Sequence, residues 1–142
     1  MSAEISQPRY TCALGAQATV LAIPHAIPII HAGPGCSAIV SGFSKLGNHG
    51  ESYAGGNQVP STNTDETDVV FGGEKDLRSE IEGALQIMKG DLFVALSGCT
   101  AGIIGDNTVE IAKEFAENGS PVVGAEISGR TDNAFEQAWY SE

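Results

Sequence analysis

At 142 residues the chain is long enough for one domain with a proper core and too short for two of ordinary size. Its 18 acidic against 7 basic side chains give a formal net charge of -11, which removes the usual electrostatic basis for binding nucleic acid or an anionic membrane. Apolar residues at 42%, charged residues at 18% and 18 glycines describe a globular chain with many tight turns or close backbone approaches.

Met1 to Tyr10 contains no apolar run and carries Glu4, Pro8 and Arg9, so no signal peptide is expected. The longest apolar stretch, Thr19 to Ile30, is short and interrupted by Pro24, His25 and Pro28, which argues against a membrane span. A soluble, cytoplasmic protein is the expectation. The three cysteines, Cys12, Cys36 and Cys99, are an odd number, which in such a compartment points away from disulfides and leaves reduced thiols, ligands or a nucleophile.

In chain order, the small apolar residues from Cys12 to Ile23 predict a buried helix, closed by Pro24 and Pro28 and followed by a strand near Ile27 to His31. Ser37 to Leu46 is weakly helical, Gly47 to Gly56 is a turn-rich loop, and Gln58 to Ser61 is a short strand candidate. Gly72-Gly73-Glu74-Lys75 is a turn before a helix rather than a phosphate-binding loop. Leu77, Ile81, Ala84, Leu85 and Met88 recur at spacings of three and four, predicting an amphipathic helix from Glu74 to Met88 that Gly90 stops.

Asp91 to Leu96 is a strand candidate. Asp106 to Glu117 is a helix with Asp106 or Asn107 as N-cap, Ile111, Phe115 and Ala116 inward, and Asn118-Gly119 at its end. Pro121 to Ile127 is a further strand, and Thr131 to Tyr140 a short terminal helix. Glutamates from Glu74 to Glu82 and from Glu110 to Glu117 supply solvated helix faces. The alternation predicts an α/β, Rossmann-like single domain, with a mostly parallel sheet flanked by helices on both faces.

The cysteines stand where strands pass into helices. Ile29-Ile30-His31-Ala32-Gly33-Pro34-Gly35-Cys36 and Leu92-Phe93-Val94-Ala95-Leu96-Ser97-Gly98-Cys99 are apolar runs that break into glycine just before the sulfur, and Cys12 opens the first helix. In a parallel sheet such ends share one edge, so the thiols could meet and bind an iron-sulfur cluster. Helix N-termini favour thiolates. Gly33, Gly35, Gly98 and Gly102 would let backbone approach a bulky cluster and donate N–H bonds to it.

The same residues admit other readings. Three ordinary buried cysteines fit the composition, since no closely spaced pair anchors a metal motif. Zinc with His25 or His31 as a fourth ligand lacks that pair as well. A Cys36-His31 catalytic pair lacks an orienting third group, and His25, His31 and His49 taken singly read as structural or solvent-facing.

Four segments in order carry a family resemblance: Thr11-Cys12-Ala13-Leu14-Gly15-Ala16; His31-Ala32-Gly33-Pro34-Gly35-Cys36; Asp65 to Leu77, with Phe71-Gly72-Gly73 inside it; and Cys99-Thr100-Ala101-Gly102-Ile103-Ile104-Gly105-Asp106. Together they resemble the N-terminal, P-cluster-binding domain of nitrogenase component 1 subunits, across nearly the whole chain, and the related nitrogenase-like oxidoreductases. The resemblance implies that Cys12, Cys36 and Cys99 ligate an iron-sulfur cluster, either a P-cluster-like 8Fe-7S cluster or a 4Fe-4S cluster. It places Gly35 and Gly98 beside that cluster, and Ser128 near the position of an extra oxygen ligand.

The resemblance further implies a site completed at an interface, as a homodimer or with a homologous subunit, each chain giving three thiolates. A low-potential reductase, either a nitrogenase reductase-like ATPase or a ferredoxin, would supply electrons. Family subunits contain three such α/β domains, whereas this sequence matches the first. Electron transfer is therefore the expected role. A fragment or split subunit of a larger oxidoreductase, or a cluster carrier in cofactor assembly, is the alternative.

Overall fold

The computed structural model of the chain describes residues 12–39 and 59–127. The expected loop at 47–56, the expected terminal helix at 131–140, His49 and Ser128 lie outside them. The elements are α1 (Ala13–Leu21), β1 (Ala26–His31), α2 (helical at 34–39), α3 (Glu66–Phe71), α4 (Glu74–Ile87), β2 (Leu92–Ser97), α5 (Cys99–Ile104), α6 (Thr108–Glu117) and β3 (Val122–Glu126). Among them no helix is long and apolar enough to cross a membrane.

The three strands form a parallel sheet in the order β1-β2-β3. His31 is level with Ser97, and Ser97 with Glu126, so the C-terminal strand ends finish flush. Alternate residues of each strand serve opposite layers, as strand geometry requires. Ala26, Ile30, Val94 and Leu96 pack with Ala13 and Val20 of α1, while Ile27, Ile29, Phe93 and Ala95 pack with Leu77 and Ile81 of α4 and Ile111 and Ala112 of α6. Helices thus cover both faces, as the alternation predicts.

Pro28 lies within β1, not ahead of it. Ile30, two residues on and on the same side, bonds away from β2, receiving Thr62 N–H and donating to Pro60 O at 2.9 Å. The N–H that proline lacks therefore falls on the side away from the β1-β2 ladder. The expected strand at 58–61 is, in its described part, one parallel bridge between Ile30 and Ser61.

Helix α3 is absent from the sequence reading. Asp65 caps it, its side chain accepting from Thr67 and Asp68 N–H while Asp68 accepts from Asp65 N–H. That reciprocal capping box is legible as Asp-x-x-Asp. Helix α4 ends at Ile87, ahead of Gly90, because Met88 is already extended. In α6 the N-cap is Asn107, and the inward stripe is Thr108, Ile111 and Ala112 with Phe115 half-buried, whereas Ala116 is exposed.

Candidate functional site

The three thiols sit at one end of the sheet. Cys12 is the N-cap of α1, which leads through the turn at 22–25 into β1 and so runs back along it. Its start therefore returns to the C-terminal strand ends, where Ala13 and Ala32 belong to one buried cluster. Cys36 lies in α2, where its N–H donates to Gly33 O at 3.2 Å, and Cys99 is the first residue of α5. Cys12 and Cys36 are half-buried and Cys99 is exposed; all three are free thiols.

Burial pushes the Cys36 thiol above its ordinary value, and negative charge on Cys99 and then Cys12 pushes it further. Among the described residues, no three His, Cys, Asp or Glu side chains converge as ligands of a single metal ion would.

Gly98 and Gly35 differ in what their missing side chains permit. A Cβ on Gly98 would lie 2.4 Å from Ala32 Cβ and 3.1 Å from His31 O, so glycine is needed there for the two cysteine-bearing limbs to touch. Its N–H donates to His31 O at 2.8 Å, and Gly102 N–H donates to Gly98 O at 3.1 Å, so both amides have partners within the fold. Among the described residues, a Cβ on Gly35 would meet nothing within 4 Å, and one on Gly33 only Thr64 O at 3.8 Å.

Beneath this edge lies a polar network that sequence reasoning missed. His31, fully buried, is bonded through Nε2 to Asp106 Oδ2 at 2.9 Å and through Nδ1 to Thr62 Oγ1 at 3.0 Å. Thr62 in turn meets Thr64 Oγ1 at 3.1 Å, and Asp106 Oδ2 accepts Gly73 N–H at 2.9 Å. His31 is therefore a satisfied interior residue, committed to Asp106 rather than to Cys36 or zinc. No local signal joins residues 75 positions apart.

Gln17 is the second unread residue. Fully buried on α1, it extends Nε2 to Cys36 O at 3.4 Å, tying the helix that Cys12 caps to the Cys36 turn. Its Oε1 has no partner among the described residues. A single amide in the otherwise small and apolar run from Ala13 to Leu21 was the available clue. Ser128 follows Ile127, whose N–H donates to the buried Ser97 Oγ at 2.9 Å at the end of β2.

Residues 11–141 match the family described as Nitrogenase component 1 type Oxidoreductase. The chain belongs to that family. It is 31% identical over 108 residues to the nitrogenase molybdenum-iron protein alpha chain of Methanosarcina barkeri, covering 72% of this chain and 20% of that one. It is 32% identical over 123 residues to the beta chain of Methanococcus maripaludis, covering 80% and 25%.

The iron-molybdenum cofactor biosynthesis protein NifE of Methanosarcina barkeri is 25% identical over 128 residues, covering 87% and 27%. The solved structure of nitrogenase Cp1 at pH 5 superposes with a TM-score of 0.70 at 26% identity, over 85% of this chain and 26% of that one. The chain thus spans about a fifth to a quarter of the relatives it matches. What it carries is a nitrogenase-like oxidoreductase domain.

Proposed function

We propose that the chain is an iron-sulfur electron-transfer module whose cluster is held by Cys12, Cys36 and Cys99 at an interface with a second copy or a homologous subunit. The observation that carries this reading is the placement of three free thiols, two half-buried and one exposed, around the C-terminal strand ends, with the Cys36 thiol raised by burial and then by the charge of the other two. Neighbouring thiolates repel, and a cationic iron centre would remove the repulsion. The space beside Gly35 leaves room for inorganic sulfide.

Three sulfurs are an incomplete ligand set for a cubane, and a second chain would complete it. Surface features agree with such a partner. Val70 on α3 is 72% exposed, Phe71 83%, and Ile103 on the adjoining α5 66%, an apolar area beside Cys99 for a paired chain or a low-potential reductase to cover. The similarity to both alpha and beta chains of molybdenum-iron proteins supports pairing with a homologous subunit. When bound, the cluster would supply reversible one-electron storage at low potential.

The chain's own residues do the rest. Gly98 keeps the two limbs in contact, Gln17 ties the Cys36 turn to α1, and the apolar layer behind the sheet edge keeps water from the inner sulfurs. Ser128 is the candidate for an additional oxygen ligand. A role as one piece of a larger nitrogenase-like oxidoreductase has its own support, since the relatives are about three to four times as long as this chain. Anaerobic purification with iron and sulfide analysis and electron paramagnetic resonance tests the cluster; a colourless protein after reconstitution overturns it.

A further inference from the structure

His31 holds both ends of the short helix that begins with Cys99. At the start of α5, Gly98 N–H donates to the His31 carbonyl at 2.8 Å. Just past its end, Asp106, whose own N–H donates to Ala101 O at 3.1 Å, meets the His31 ring at 2.9 Å. A carboxylate only accepts, so Nε2 carries the proton and donates to Oδ2. One residue therefore grips α5 by main chain at the N-terminus and by side chain at the C-terminus.

The grip has little freedom to slip. The ring is fully buried, its Nδ1 is engaged by Thr62, and a Cβ on Gly73 would lie 2.8 Å from its Cε1. Gly73 N–H holds the same carboxylate oxygen. A helix of six residues cannot persist by its own hydrogen bonds, so its placement depends on such anchors. Besides the His31 anchors, α5 has the inward Ala101, the half-buried Ile104 and its contact with α3, while Ile103 faces out.

We propose that His31, acting through Asp106, is a positioning residue that fixes the Cys99 limb relative to the Cys36 limb, and so sets the geometry of the cluster. The inference rests on the reading above that Cys99 is a cluster ligand, but the clamp on α5 can be examined in the metal-free chain. His31 begins the path to Cys36 as well, since Ala32 and Gly33 follow it directly. A change in this one side chain would therefore alter the spacing between two ligands rather than the presence of either.

The experiment compares the full chain with His31→Ala, His31→Gln and Asp106→Leu by amide hydrogen exchange of the metal-free proteins, then by paramagnetic resonance and iron release to a chelator after anaerobic reconstitution. His31→Ala is expected to speed exchange of the α5 amides by roughly tenfold or more relative to those of β2. It should also shift the cluster's resonance signature and hasten iron loss. His31→Gln, whose amide can still donate to Asp106, should recover most of each effect. If His31→Ala does not fold, Asp106→Leu carries the comparison, keeping volume while leaving Nε2–H without its acceptor, and should speed α5 exchange in the same way.

Exchange in α5 that stays at the wild-type rate, or that rises only in step with β2, overturns the clamp. So does a destabilised variant with an unchanged resonance signature. If the wild-type chain takes up no iron, the cluster reading fails and exchange alone judges the clamp. If it takes up iron while α5 is indifferent to His31, the clamp fails and the cluster stands.

Discussion

Replacing Gly98 by alanine tests the contact on which the sheet edge depends. The new methyl would sit 2.4 Å from Ala32 Cβ, 3.1 Å from His31 O and 3.4 Å from Ala32 Cα. Carbon atoms prefer separations of about 3.5–4.0 Å, so the limbs must part by more than about 1 Å. Neither neighbour is a flexible side-chain tip, and overpacking of this kind costs about 1–3 kcal/mol. For a chain of this size that lowers the melting temperature by roughly 3–12 °C.

Gly35→Ala is the control. It meets nothing within 4 Å, and its backbone has no positive φ, so the metal-free chain should be unchanged or stabilised by about 0.4–1 kcal/mol. Thermal unfolding of both metal-free variants by circular dichroism makes the comparison. If the space beside Gly35 receives the cluster, Gly35→Ala should instead lower iron content after reconstitution. Gly98→Ala melting within about 1 °C of wild type would refute the packing argument.

Three further outcomes follow from the site. The alkylation profile of Cys36, followed by mass spectrometry, should have its midpoint above that of a free cysteine, chiefly from burial; Cys99→Ser should move it down by removing one neighbouring charge. No movement would refute the electrostatic influence of Cys99 on Cys36. Gln17→Leu should change stability by less than about 1 kcal/mol, because one long hydrogen bond and one partnerless buried oxygen are lost together; a loss above about 2 kcal/mol in urea would show that Oε1 is satisfied. Glu80 is pushed up by burial, partly offset by Ser61 N–H. Its charged form is therefore the costly one, so Glu80→Gln should stabilise slightly at neutral pH in thermal unfolding, with the gain vanishing as pH falls below the ordinary carboxylate range.

Much of this fold is legible because its signals are local. Apolar runs ending at Gly33 and Gly98 announce parallel strands, and Leu77, Ile81 and Ala84 at helical spacing announce α4. Helix α3 escaped because its stripe is missing: none of its residues is buried, and only the Asp65 capping box marks it. In α6, burial of Thr108 turns the inward face toward Ala112 and leaves Ala116 outside, a phase that apolar counting alone does not set. The cysteines were visible as a candidate site from their places at strand ends. The bond between His31 and Asp106 was not, since it arises only when β1 and the α5-α6 turn are brought together.

The most direct test of the account is the iron and sulfide content per chain of the anaerobically isolated protein, measured with its mass under native conditions. The account predicts iron and sulfide in cluster proportion on a dimer or on a pair with a homologous subunit, and loss of both in Cys36→Ala. A metal-free monomer that stays colourless after reconstitution, or a cluster that survives Cys36→Ala, would contradict it.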